Sequence, residues 1–149
     1  MLNLDLINVT VKTSLIKGKP FIFDPIRKKN FSLTPEELVR QKLLTYLITI
    51  LNYPQSFIAV EKQINFGTLA KRFDIVIYNR DFKPWMLVEC KAPDVELSEK
   101  TLYQLLNYNH SLQCKYWLIT NGQNSYCADA TNTTSISWLQ GLPGFPNNS

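Results

Sequence analysis

At 149 residues, with 45% hydrophobic, 19% charged and 12% aromatic side chains, the chain has the size and composition of one ordinary globular domain with a buried core. Sixteen Lys and Arg against twelve Asp and Glu leave a net charge of +4, which favours a polyanionic partner only mildly. Cys90, Cys114 and Cys127 form no CxxC pair and have no histidine at ligand spacing, so neither a zinc site nor a disulfide framework is suggested.

The N-terminus, Met1 to Leu6, carries an acid and lacks both a basic n-region and a long apolar core, so it does not read as a signal peptide. No run approaches membrane-spanning length, and a soluble, cytoplasmic protein with reduced thiols is expected. Residues 1–33 are mixed, with a short apolar piece from Pro20 to Phe23. The basic triplet Arg27-Lys28-Lys29 that follows could meet phosphate, but a solvated surface loop is the better account.

Thr34-Pro35-Glu36-Glu37 carries the marks of a helix start: Thr as N-cap, Pro at the first helical position, acids in the first turn, and Glu37 at the capping-box position. Leu38, Val39, Leu43, Leu44, Leu47, Ile48, Ile50 and Leu51 give that helix a broad apolar face, ending before Asn52-Tyr53-Pro54. Residues 57–66 read as a strand with Ile58, Val60, Ile64 and Phe66 on one face and Glu61 and Gln63 on the other. Gly67 to Ala70 turn it into a second strand, Arg72 to Tyr78. A polar turn from Asn79 to Pro84 leads to a third, Trp85 to Lys91.

A turn centred on Asp81 and Phe82 sets Asp74 opposite Glu89. Alternation then puts Glu89 and Lys91 on one face, with Val88 and Cys90 on the other. Two carboxylates and an amine are expected on one patch among apolar neighbours, where a bound cation or a mutual salt bridge would offset the charge. Ala92-Pro93-Asp94 stops the strand. Ser98 caps a second helix running to about Leu112, residues 116–120 form a buried strand, and a short strand near Tyr126 and Cys127 follows. Residues 1–140 read as one domain, and the tail 141–149, rich in Pro and Asn, is expected to fray.

Asp74 and Glu89 are hard oxygen donors suited to Mg²⁺, with Mn²⁺ as a substitute, and the Cys90 carbonyl could add a ligand. Lys91 could orient or deprotonate a water and offset charge on a phosphate. As a bare pattern, an acid followed by Glu-x-Lys is common. Set on paired strands behind a capped helix, it resembles the PD-(D/E)xK nuclease superfamily.

More narrowly, four stretches are similar to the N-terminal nuclease domain of type I restriction enzyme R subunits: residues 34–41, 71–74, 88–93 and Thr120-Asn121-Gly122. Gln104 and Tyr108 match the QxxxY signature of RecB-like nucleases, and their spacing lets both aim at one site from a helix. Phe73 stands where the superfamily's name has proline.

The resemblance implies a restriction-endonuclease-like α/β core: helix, three-strand antiparallel meander, helix, strand, with a mixed central sheet flanked by helices. It implies a Mg²⁺-dependent DNA endonuclease of the restriction type, with other restriction-modification subunits as possible partners. Asp74 and Glu89 would be metal ligands and Lys91 the water or phosphate partner. Glu37 would be a further ligand or only a helix cap, and Gln104 and Tyr108 would position DNA. No GxxxxGK[ST] phosphate loop is present, so ATP-driven translocation is not expected of this chain. The alternatives are a catalytically silent DNA-binding or assembly module and, more weakly, an RNA-directed or repair nuclease. His110 reads as a helix-end residue, Trp85, Trp117 and Trp138 as core, and Lys71, Arg72 and Arg40 as possible phosphate contacts.

Overall fold

Lys17 and Gly18 both take positive φ, 53° and 78°, which is the backbone of a two-residue hairpin turn matched to the twist of the strands it joins. The computed structural model, which describes residues 1–132 and 134–147, accordingly begins with a three-stranded antiparallel sheet: β1 (Thr13–Ile16), β2 (Lys19–Asp24) and β3 (Lys29–Ser32). This layer was not expected. Its strands are short, and only Ile22 and Asp24 of β2 are buried, so no apolar alternation announces it.

The expected solvated loop at Arg27 is also corrected. Arg27 donates to Asp24 and Glu37 and stacks at 3.4 Å over Phe31, tying β2 to the helix that follows.

Helix α1 (Pro35–Thr45) starts as its sequence dictates, with the Thr34 hydroxyl accepting from the Glu37 N–H at 3.1 Å. It then widens into one π-helical turn over Tyr46–Ile50, stopped at Asn52 with φ 58°. Strands β4 (Ile58–Phe66), β5 (Leu69–Tyr78) and β6 (Pro84–Cys90) form the expected meander. Helix α2 (Glu99–Leu106), extended by a 3₁₀ turn over Asn107–His110, crosses to β7 (Tyr116–Thr120), which lies parallel to β6. Strands β8 (Ser125–Asp129) and β9 (Ser137–Trp138) complete a six-stranded mixed sheet in the order β4-β5-β6-β7-β8-β9.

The sheet separates two apolar clusters. Val39, Leu43, Leu44 and Leu47 of α1 pack on Ile75, Ile77, Met86 and Val88, while Leu102, Leu105 and Leu106 of α2 pack on Val76, Leu87, Trp117 and Ile119. Each such fully buried aliphatic side chain contributes about 1.5–3 kcal/mol. This is a restriction-endonuclease-like arrangement, a mixed sheet between two helices with the small sheet appended to α1.

Two local departures matter for the site. Val60 packs on the α1 side but Ile64 on the α2 side, and Phe73 lies on the α2 side but Ile75 on the α1 side. Both strands thus change phase between the pairs Val60↔Ile75 and Lys62↔Phe73, where Glu61 takes φ 55°. The expected common face for Ile58, Val60 and Ile64 is corrected accordingly.

The tail does not fray at Gly141. Phe145 packs 5.9 Å from the rings of Tyr53 and Trp85, the Tyr53 hydroxyl donates to the Pro143 carbonyl, and Arg80 donates to Pro146. Aromatic contacts hold it where composition suggested disorder. The expectation for residues 148 and 149 lies outside the described residues.

Candidate functional site

The ladder between β5 and β6 runs through Ile75↔Val88, so continuing it sets Asp74 against Glu89. At that point the side chain replaces the main chain as acceptor. The Cys90 N–H donates to Asp74 Oδ2 at 2.9 Å, and the Lys91 N–H donates instead to the Thr120 carbonyl of β7. The strands part here, and the acids sit at the opening.

Each acid has its own cation. Asp74 Oδ1 accepts from Arg40 of α1 at 2.5 Å, and Glu89 Oε1 pairs with Lys71 of β5 at 3.3 Å. Arg40 also reaches Glu37 at 2.7 Å and Glu61 at 2.6 Å, so one guanidinium joins the helix to the edge strand β4 and to its neighbour β5. Burial works against the Arg40 charge, but Asp74, Glu37 and Glu61 outweigh it and hold it protonated far above its ordinary range.

Glu37, 7% exposed, accepts from Arg27, Arg40 and Gln41. The Thr34 N–H, which a capping-box glutamate would take, bonds to Ser32. Arg27 and Gln41 also donate to Asp24, so an unbroken chain, buried at every member but the half-buried Arg27, runs Asp24, Arg27, Glu37, Arg40, Asp74. Glu37 thereby meets Asp74 through Arg40.

Burial raises the protonation range of Glu89 and the Asp74 charge raises it further, while Lys71 and Lys91 pull it back. Lys91 makes no ion pair among the described residues. Among the described residues only Oε1 of Glu89 is hydrogen-bonded. Two carboxylates beside the Cys90 backbone, near enough that the Asp74 charge raises the protonation range of Glu89, fit a hard divalent cation. Among the described residues no group of three or more His, Cys, Asp or Glu is spaced to hold a metal, so a cation here would complete its shell with main-chain carbonyl and water.

Tyr108, in the 3₁₀ turn, stands 6.0 Å from Phe66 and under Lys71 Nζ at 5.4 Å, which brings it to the Glu89 side. Gln104 is exposed on α2, before that turn begins, and no hydrogen bond ties it to the acids. His110 ends the 3₁₀ turn. Trp85 and Trp117 are core, at 8% and 0% exposure, and Trp138 is half-buried. The buried Cys90 thiol is pushed well above its ordinary range and is no nucleophile.

Glu61 and Lys71 were not foreseen as partners of the acids. Arg40 had left one signal, a charge one residue from Val39 and three from Leu43 on the apolar side of α1. Glu61 left none, because its role depends on a backbone reversal.

Among the described residues no helix is long and apolar enough to cross a membrane. Among curated proteins no relative matches. A solved structure, a candidate nuclease belonging to DUF820 from Anabaena variabilis ATCC 29413, aligns over 93% of this chain and 85% of its own, with 11% identity and a TM-score of 0.49. The family described as type I restriction enzyme R protein N terminus (HSDR_N) matches residues 35–143, from the first residue of α1 to the start of the docked tail. A match of that extent, over a helix, meander, crossover and strand that carry Glu37, Asp74, Glu89 and Lys91, makes this chain a member of that family.

Proposed function

We propose that the domain is a metal-dependent DNA endonuclease of the restriction type, hydrolysing phosphodiester bonds with Asp74, Glu89 and the Cys90 carbonyl as the holders of Mg²⁺ or Mn²⁺. The observation that carries this is the opening between β5 and β6, where the Cys90 amide fixes the Asp74 carboxylate beside Glu89, of which only Oε1 is hydrogen-bonded among the described residues. A hard divalent cation held there would stabilise charge on a phosphate and make a bound water more acidic.

Lys91, which makes no ion pair among the described residues, orients the attacking water and offsets charge on the phosphate. Arg40 holds the Asp74 carboxylate in place. Gln104 and Tyr108 lie on the α2 side, from which they would position the DNA strand. Family membership supports a place among restriction-modification subunits.

One observation favours a second reading, a silent DNA-binding or assembly module: the Arg40 guanidinium already neutralises Asp74. Nicking of supercoiled plasmid with Mg²⁺ or Mn²⁺ separates the two. Wild type should nick, while Lys91→Ala and Asp74→Asn should not. Calorimetric Mn²⁺ binding should be weakened in Asp74→Asn and Glu89→Gln and retained in Lys91→Ala. DNA binding without nicking or Mn²⁺ binding by any of them would leave the silent module.

A further inference from the structure

The charge of this chain is not spread over it. Residues 1–34 hold six of the sixteen basic side chains and two of the twelve acids; from Pro35 onward ten basic and ten acidic side chains cancel. The net +4 therefore belongs to the segment before α1, and the matched family region begins only at Pro35.

Within that segment Lys12, Lys17, Lys19, Lys28 and Lys29 are exposed, whereas its one acid near them, Asp24, is fully buried and bonded to Arg27. Residues 12–20 form an unbroken exposed run, so β1 is bare on both faces. Beyond Pro20, where β3 ends its pairing, only the two strands of the hairpin continue to the Lys17-Gly18 turn. Leu15 is 75% exposed and Ile16 39% at this tip. Apolar side chains set between lysines on a bare ribbon suit a partner offering phosphates and base edges together.

We infer that the β1–β2 hairpin is a DNA-binding arm that lays its two strands into the major groove of a B-form duplex, its lysines on the flanking phosphates. This deepens the nuclease reading and rests on it for the choice of DNA among polyanions. The major groove of B-DNA admits a two-stranded ribbon, whereas the deep, narrow groove of an A-form duplex does not. The arm is also fixed to the candidate site. The chain Asp24, Arg27, Glu37, Arg40, Asp74 runs from the end of β2 to the first acid through buried and half-buried ion pairs, so a duplex seated on the arm is held in a set relation to Asp74.

The test is fluorescence anisotropy with a labelled 30-base-pair DNA duplex across a salt series. The arm variant Lys12→Gln/Lys17→Gln/Lys19→Gln is compared with Lys83→Gln/Lys100→Gln/Lys115→Gln, which removes the same charge from exposed positions elsewhere. The arm variant should bind about tenfold or more weakly, and its plot of log K against log salt should flatten by about 0.9 for each phosphate that the arm no longer neutralises. The control should stay within about twofold of wild type, and thermal melts should show all three folded.

Equal losses in both variants, no loss in the arm variant, or no binding by wild type would overturn the arm. So would equal competition by an RNA duplex of the same sequence. Metal-dependent plasmid nicking at saturating protein, read on the same samples, keeps the two ideas apart. Nicking with arm-independent binding sinks the arm alone, and arm-dependent binding without nicking sinks the nuclease alone.

Discussion

Replacing Arg40 by methionine removes the one cation shared by Glu37, Glu61 and Asp74 while nearly keeping the length of the side chain. Arg40 and Glu37 are each 7% exposed and Asp74 8%, so the carboxylates left behind cannot recover their lost partner from bulk water. Breaking a buried pair by deleting one member costs about 3–5 kcal/mol, because a charge remains buried without compensation. Some of this is returned because Arg40 Nε is the buried side-chain polar atom that lacks a hydrogen bond among the described residues. That atom's desolvation cost vanishes with the side chain and offsets about 1 kcal/mol.

A net loss of about 2–4 kcal/mol is expected, which for a domain of this size lowers Tm by roughly 5–15 °C. Urea unfolding at pH 7 measures it, with the midpoint falling and the slope unchanged. Arg40→Lys should lose most of the same stability, since a single ammonium cannot serve three carboxylates from the two ends of a planar fork. A loss below about 1 kcal/mol in Arg40→Met would refute the view that this guanidinium holds α1 to the central strands.

Asp24 gives a pH-dependent counterpart. Burial alone would raise its protonation range, but donors from Arg27, Gln41 and Ile26 outweigh burial and hold it below the usual carboxylate value. A depressed folded-state value means stability fully present above the unfolded value near 3.8 and lost as pH falls through the folded one. Asp24→Asn should therefore be less stable than wild type by about 2 kcal/mol at pH 7 in urea melts, with the gap closing below pH 4. Gly122, at φ 90°, would place a new Cβ 3.1 Å from Val39 Cγ2. Gly122→Ala should thus cost about 1–3 kcal/mol by thermal melting, from backbone strain and a pushed α1. Phe145→Ala should cost about 1–3 kcal/mol, and cleavage of the tail by a nonspecific protease should speed up with it, since the rings of Tyr53, Phe57 and Trp85 all pack on that one phenyl group.

What the residues alone made legible was the part governed by local chemistry. Thr34 and Pro35 announced the start of α1, and the two apolar runs around Asn79 to Pro84 set a register that puts Asp74 against Glu89. Val88 and Cys90 do share the α1 side, as alternation requires. The parts that escaped depend on single backbone choices or on distant partners. Counting alternate residues along β4 assumes a constant phase, and the positive φ at Glu61 breaks it. The destination of Arg40 is set by Glu61 and Asp74, twenty-one and thirty-four positions away, which no periodicity reports. The small sheet and the docked tail escaped because each is anchored by only one or two apolar side chains, Ile22 in β2 and Leu142 and Phe145 in the tail, among exposed or turn-forming residues.

The reversal at Glu61 and Asp74 also governs how the central strands can be mispaired. In an ordinary hairpin, sliding one strand by two residues restores every side chain to its own face. Here the alternate set of residues that faces the α1 cluster on one side of the reversal faces the α2 cluster on the other, so a slide of two carries residues across the reversal and strands Phe73 or Ile75 on the wrong side. Only one alignment satisfies both layers. The crossover point that brings a charged pair to the edge of the sheet thus doubles as a lock on its register.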